Sequence, residues 1–236
     1  AYEIMPSVVG SEMCIRDSYI SGEHISRLLG VSRAAVNTAV KALRAEGYEI
    51  SSSTNKGYHL DAVPNSISAQ ELAAYLDEAR MQTVECLASV DSTNNRLREL
   101  ALAGAPNGQV VLANEQTQGK GRRGRAFASP QDNGIYLSIL FHPDTLPTDI
   151  VEITAWTAVA TNNAIEEVCG VRAGIKWVND LVIDRKKICG ILTEMSVESE
   201  SGYIQYLIIG IGINVNGQAE DFPAEIRSTA TSLAME

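Results

Sequence analysis

The chain has 236 residues, 45% hydrophobic and 20% charged, with a formal net charge of −10. That length can bury a substantial core and hold two domains, and the acidic balance excludes general nucleic-acid affinity, so any basic contact surface must be local. No apolar run reaches the roughly 18 residues of a membrane span, no signal peptide is visible, and Cys14, Cys86, Cys169 and Cys189 stand far apart with no C-x-x-C pair, which suits reduced thiols in a cytoplasm and gives no metal site.

Residues 1–17 have no clean hydrophobic period. They resemble translated adaptor sequence, expected to stand in place of a native first helix, and are set aside from the fold. From Ser21 the pattern is regular. Ile25, Leu28 and Leu29 give one short helix face that Gly30 ends. Ser32 then caps a second helix over 33–46, with Val36, Val40 and Leu43 inward and Gly47 as its stop. The segments 48–52 and 58–60, joined across Thr54-Asn55-Lys56-Gly57, read as a β-hairpin wing. Residues 18–62 thus resemble a winged helix-turn-helix domain of bacterial regulators. Arg33, Lys41, Arg44 and Lys56 could meet DNA phosphates and Asn37 a base edge; a winged helix used only for protein contacts is the alternative.

Residues 61–65 are the expected linker to a second domain over 66–236. Ser68 and Glu71 form a capping box for a helix to about residue 80. Strands are expected at 83–87, 109–114, 135–141, 188–197 and 203–213, with a helix carrying Leu97, Leu100 and Ala101 and a long apolar helix over 149–169 stopped by Gly170. A hairpin turns over residues 184–187. The pattern predicts an α+β fold, with a mixed, largely antiparallel sheet and helices packed on it.

Between the strands at 110–113 and 135–141 lies Gly119-Lys120-Gly121-Arg122-Arg123-Gly124-Arg125. Four fixed cations and three glycines in seven residues cannot enter a core. Such a loop can close its backbone N–H groups and guanidinium forks on an anion, or be a solvated hairpin tip. Gly119, Gly121 and Gly124 match a dinucleotide fingerprint by spacing, but the loop runs into a new strand rather than opening a helix. A P-loop fails too, because Arg125-Ala126 stands where Lys-Ser/Thr is needed.

Polar groups cluster where strands end: Ser92-Thr93-Asn94, residues 116–125, Lys176 to Asp180 with Lys187, and Gly210-Ile211-Gly212-Ile213-Asn214. In that order these segments carry S-T-N, Q-x-x-G-K-G-R-R-G-R, K-W-x-N-D, K-I-x-G-I-L and G-x-G-x-N. From residue 20 to its end the chain resembles the bifunctional biotin–protein ligases that also act as biotin operon repressors. The resemblance implies a class II synthetase-like catalytic domain. It also implies a reaction in which biotin and MgATP give biotinyl-5′-AMP, whose biotinyl group passes to a lysine of a carboxylase carrier domain. Fixed cations and Mg²⁺ suit that chemistry, since a carboxylate must approach a polyanionic nucleotide. A closing loop suits it as well, since an acyl phosphate hydrolyses readily. Mutual repulsion of the four cations is expected to hold the loop open when no anion is bound.

By motif position, the resemblance places Ser92, Thr93, Asn94, Gln116, Lys120, Gly121, Arg122, Lys187 and Gly190 on biotin. It places Arg122, Arg123, Arg125, Lys176, Asn179, Asp180 and Asn214 on ATP, with Asp180 also toward Mg²⁺, and Lys187, Arg122 and Lys176 in catalysis. The plain alternatives are an N-cap role for Ser92 or Thr93, a solvated side chain for Gln116 and a structural polar role near the site for Asn214. The resemblance further implies operator DNA as a partner and a homodimer when ligand is bound. Lys120 stands where the family usually has arginine, Phe127 where it often has tryptophan, and Val178 where it has proline. The chain stops at Glu236, where the family is expected to continue into a small SH3-like domain. Two other functions fit the same motifs less well: lipoate or octanoate transfer on the same fold, and biotin sensing by a regulator without ligase activity.

Overall fold

The computed structural model describes residues 18–236, so the reading of residues 1–17 lies outside the described residues. Two compact units divide between Gln82 and Thr83.

In the first unit, helices α1 (Gly22–Leu29) and α2 (Arg33–Ala45) are joined by a tight turn. Each starts on a serine: Ser21 Oγ accepts from His24 N and Ser32 Oγ from Ala35 N, both at 3.1 Å. Gly30 closes α1 with φ +65°, where a β-carbon would be strained. The wing is the antiparallel pair β1 (Glu49–Ser53) and β2 (Gly57–Ala62). Ile25, Val36, Val40, Leu43, Tyr48, Ile50 and Leu60 form one core. Leu28, expected on the inner face of α1, is instead exposed, because Ile25 and Leu29 already fill the contact this short helix makes.

The helix expected from Ser68 to about residue 80 is two short ones, α3 (Ala69–Leu72) and α4 (Glu78–Met81). The capping box at Ser68 and Glu71 is present. The break falls at Asp77, whose carboxylate takes the Arg80 N–H at 2.8 Å and so starts a new helix.

Gly57 has φ +106°, and a β-carbon there would run into the backbone of Ile20 and Ser21, the strand bridge that closes the wing. Gly57→Ala is therefore expected to destabilise the first unit by about 1–3 kcal/mol, read as a lowered urea midpoint. An unchanged midpoint would show that the bridge is dispensable.

The second unit is a seven-stranded sheet in the order β3-β4-β5-β9-β8-β7-β6. Its strands are β3 (Val84–Leu87), β4 (Val110–Ala113), β5 (Gly134–Phe141), β6 (Gly174–Lys176), β7 (Asp180–Ile183), β8 (Lys186–Val197) and β9 (Ile204–Asn214). Among the strands of the described residues only β3 and β4 pair in parallel, which gives the mixed, largely antiparallel sheet that the sequence predicts. Helices α5 (Thr93–Leu102) and α6 (Ile153–Cys169) complete the unit. The apolar run before α6 begins as a 3₁₀ turn, Pro147–Ile150, so the long helix is shorter than its pattern suggests. One core cluster joins Ile165, Leu181, Ile188, Ile191 and Ile209; another joins Leu97, Val111, Leu140 and Ile208. No helix among the described residues is long and apolar enough to cross a membrane.

The central strands carry glycine where one patch of the sheet must stay low. In the β8–β9 ladder Gly190 faces Gly212, and Gly210 sits between Ser138 of β5 and Leu192 of β8. The Phe127 ring lies on this floor: a β-carbon on Gly212 would come within 2.5 Å of it. Low floor and flat lid leave a slot over the sheet.

Candidate active site and nucleic-acid face

The slot is a small concave pocket, the usual form of a small-molecule site. Its wall is the start of α5 (Ser92, Thr93, Asn94) with Gln116, and its floor is the glycine patch. Lys120, Gly121 and Arg122 of the basic loop line it from above, and Asn179 and Lys187 from the side. Every residue expected on biotin lines it.

Ser92, Thr93 and Asn94 are buried. Ser92 stands at the N-cap of α5 yet makes no side-chain cap bond, so the capping alternative is not what places it there. Gln116 Oε1 accepts from Thr93 N at 2.9 Å and lies 3.1 Å from Thr93 Oγ1, while its Nε2 donates to Ser129 Oγ at 2.8 Å. The solvated-glutamine reading therefore fails. This wall is rigid because its polar atoms hold one another.

The basic loop is folded down over the slot. Gly121 N donates to Arg125 O at 2.7 Å and Phe127 N to Gly119 O at 2.8 Å, making the loop a small hairpin. Two of its cations have found partners. Lys120 donates to Asn95 Oδ1 and lies 3.9 Å from Glu194, and Arg122 donates to Asn179 Oδ1 at 3.0 Å. Arg123 and Arg125 are exposed and do not line the pocket; nor does Lys176, exposed at the end of β6.

Lys187 is held by its backbone. Its N–H donates to Thr229 O at 2.7 Å, and its carbonyl accepts from Thr231 N at 2.9 Å and Asn214 Nδ2 at 3.3 Å. Asn214 also donates to Thr231 O at 3.0 Å and is absent from the pocket lining. The expected ATP contact of Asn214 is thus replaced by a structural one, since its amide protons are spent on carbonyls. Lys187 Nζ lies 2.7 Å from Asp180 Oδ1 and 5.4 Å from the centre of the Phe127 ring. Asp180 also accepts from Asn179 Nδ2 at 3.1 Å, and the described residues hold no group of three or more His, Cys, Asp or Glu fit for a metal. Asp180 reads as the partner of Lys187 rather than as a resident metal ligand. Buried beneath the pair, Cys189 is pushed up to about 12 by desolvation, with the Lys187 charge opposing, so it stays a thiol.

Ser138 and Glu194 were not singled out by the sequence, yet both touch the wall: Ser138 Oγ lies 2.6 Å from Asn94 Oδ1, and Glu194 Oε2 accepts from Asn94 Nδ2 at 2.7 Å. For Ser138 the available signal was a lone serine inside an otherwise apolar strand; Glu194, beside Thr193 in a strand with several polar residues, offered none.

A β-carbon on Gly210 would strike the Asn94 carboxamide, oxygen first. Gly210→Ala is expected to push Asn94 off its partners and weaken small-molecule binding about tenfold or more, measured by titration calorimetry. Unchanged affinity would remove Asn94 from the site.

In the first unit, Arg33, Asn37, Lys41 and Arg44 share the exposed face of α2, opposite the buried Val36, Val40 and Leu43. A groove between α2 and the wing is lined by Arg33, Asn37, Arg44 and Ser52 to Asn55. Arg44 corrects its expected role: its guanidinium donates to the Ile50 carbonyl, at 2.8 Å from Nε, and so braces the wing. Lys56 lies 5.7 Å over the Tyr19 ring.

The biotin/lipoate A/B protein ligase family model matches residues 86–214, which contain all four walls of the pocket. The chain belongs to the biotin/lipoate A/B protein ligase family. A helix-turn-helix domain model matches residues 13–59, beginning inside the stretch set aside above. This ligase-family chain is 42% identical over 217 residues to the bifunctional ligase/repressor BirA of Bacillus spizizenii, covering 92% of this chain and 66% of that relative. Biotin protein ligase from Aquifex aeolicus, solved in complex with biotin and ATP, is 32% identical, with TM-score 0.53 over 65% of this chain and 60% of that one. The Leishmania major ligase in complex with biotinyl-5-AMP is 26% identical, with TM-score 0.54 over 65% and 64% of the two chains. The chain thus spans about two thirds or less of each.

Proposed function

We propose that this chain is a biotin–protein ligase that also represses transcription through its first unit. The observation that carries the ligase reading is the pocket itself. A buried wall of Ser92, Thr93, Asn94 and Gln116 ends at two cations, Arg122 and Lys187, over a floor of glycine. A cyclic urea carries two N–H donors and a carbonyl, and a buried polar wall rejects ligands that leave its groups unpaired. A saturated acyl chain offers that wall nothing, which favours biotin over lipoate or octanoate within a family that includes both.

The biotin carboxylate then attacks the α-phosphorus of ATP. A new O–P bond forms, the bond to the bridging oxygen breaks, and pyrophosphate leaves with that electron pair. Lys187 and Arg122 offset the charge that gathers there. Mg²⁺ enters with ATP as part of the substrate, carried chiefly by phosphates as is usual for this ion. In the second step a lysine amine of a carboxylase carrier domain attacks the acyl carbon, AMP leaves, and the amine loses a proton. Lys120 to Arg122, folded over the slot, exclude water between the steps. Lys176, Arg123 and Arg125, exposed outside the pocket lining, are assigned to the outer phosphates of ATP.

We place the DNA contacts on Arg33, Asn37, Lys41 and Lys56, with residues 18–62 as the DNA-binding domain, residues 66–236 as the ligase domain and a ligand-bound homodimer as the repressing form. Free Cys86, Cys169 and Cys189 fit a cytoplasmic location. The test of the enzyme is biotin-dependent release of pyrophosphate from MgATP, with lipoate and octanoate as competing acids. Release with biotin alone is expected; release only with an unbranched acid would transfer the pocket to the other branch of the family. The test of the repressor reading is gel-shift titration on biotin-operon DNA: salt-sensitive binding that tightens with biotin and MgATP is expected, and no binding beyond that to unrelated DNA would overturn it.

A further inference from the structure

The pocket wall contains a line of hydrogen bonds that the adenylation chemistry does not use. Ser138, fully buried in the middle of β5, has its hydroxyl 2.7 Å from Thr93 Oγ1 and 2.6 Å from Asn94 Oδ1. On the other side of Asn94, its Nδ2 donates to Glu194 Oε2 at 2.7 Å. Glu194 on β8 is itself paired with Arg98 of α5 at 2.9 Å.

Counting protons fixes the direction of this line. A carboxylate accepts and never donates. Asn94 must therefore turn its nitrogen to Glu194 and its oxygen to Ser138, since the flipped amide would set two acceptor oxygens face to face. Ser138 has one proton, and the Asn94 oxygen has none to offer, so that proton goes to Asn94. The short contact between Ser138 and Thr93 must then use the Thr93 proton. Gln116 Oε1 keeps the Thr93 backbone N–H at 2.9 Å. Three oxygen contacts share the two hydroxyl protons, so one must go without. This assignment leaves the longest, Thr93 Oγ1 to Gln116 Oε1 at 3.1 Å, whereas any other leaves a contact of 2.6 or 2.7 Å bare, which costs more.

We propose that Glu194 is a positioning residue that sets the donor and acceptor polarity of the pocket wall. It acts through Asn94, and through Ser138 on Thr93, so that this wall turns oxygen acceptors toward the ligand. The Asn94 oxygen is the atom nearest the Gly210 floor, which agrees with that direction. A wall of acceptors selects a ligand rich in N–H donors, such as a cyclic urea, and selects against one with none. This deepens the biotin-ligase reading and rests on it.

The test is titration of this chain with biotin alone, by calorimetry, in wild type and three variants. Glu194→Gln keeps the shape and reverses the polarity, because the Arg98 guanidinium takes the one remaining oxygen and the new NH2 then faces Asn94, which must turn its own oxygen to it. Glu194→Asp shortens the side chain and keeps an acceptor-only carboxylate. Glu194→Gln is expected to weaken biotin about tenfold or more, with Glu194→Asp losing less and with KM for ATP unchanged in both. In an Asn94→Ala background Glu194→Gln should cost little further. Equal affinity in wild type and Glu194→Gln, a larger loss in Glu194→Asp, or additive losses with Asn94→Ala would each overturn the relay and leave the ligase reading standing. Wild-type protein that binds no biotin would overturn both. Should Glu194→Gln not fold, Ser138→Ala breaks the same line with Glu194 in place; wild-type affinity in that variant overturns the relay.

Discussion

Lys187→Gln is expected to lower biotin-dependent pyrophosphate release by about a hundredfold or more, with the fold intact. Lys187 lines the pocket beside Arg122, its backbone is pinned by Thr229, Thr231 and Asn214, and its ammonium faces Asp180. Substitution leaves those backbone bonds in place. The side chain is one-third exposed, so the unpaired Asp180 is screened by water and the stability cost is small. What is lost is a fixed charge where the carboxylate and the α-phosphate meet. Since the charge matters most as the new O–P bond forms, kcat should fall more than the KM for biotin rises. Activity within a factor of about two of wild type would remove Lys187 from the chemistry, because a charge-assisted contact there is worth at least about 1.5 kcal/mol.

Arg122→Gly is expected to act on retention instead. Arg122 ties the folded loop to Asn179 at 3.0 Å across the mouth of the slot. The substitution removes that tie and a cation facing the ligand, and adds a fourth glycine to a seven-residue loop. The extra freedom alone favours the open loop by up to about 1 kcal/mol. Lys187 still meets the carboxylate and phosphate, so adenylate forms at a near-normal rate. It then escapes and acylates amines in solution. With an unrelated lysine-rich protein present, a biotin blot should show bystander labelling that rises many-fold over wild type. Near-normal adenylation with labelling confined to a carrier domain would show that the loop is not the lid.

The pattern along the chain carried the architecture well. Glycine and serine punctuation around α1 and α2 and the strand alternation through β5, β8 and β9 are local signals, and local chemistry sets them. The helix expected after Ser68 failed for an equally local reason, the competing cap at Asp77. Site residues divided differently. Those carried by motif, Ser92 to Asn94, Gln116, Lys120 to Arg122 and Lys187, meet in one pocket. Arg44 and Asn214 are engaged structurally, because each found a backbone carbonyl that only tertiary packing supplies, Ile50 in one case and Lys187 with Thr231 in the other. Ser138 and Glu194 were invisible for the same reason. The sheet order sets β9 between β5 and β8, and α5 lies over them, so Asn94 meets partners 44 and 100 residues away. No spacing rule in the sequence encodes such a contact.

The most direct measurement is mass spectrometry of the purified chain after incubation with biotin, ATP and Mg²⁺ and rapid removal of free ligand. Biotinyl-5′-AMP held by the protein, with pyrophosphate in the filtrate, is the predicted result. Protein recovered with no acyl-adenylate, or with an adenylate formed only from lipoate or octanoate, would contradict it.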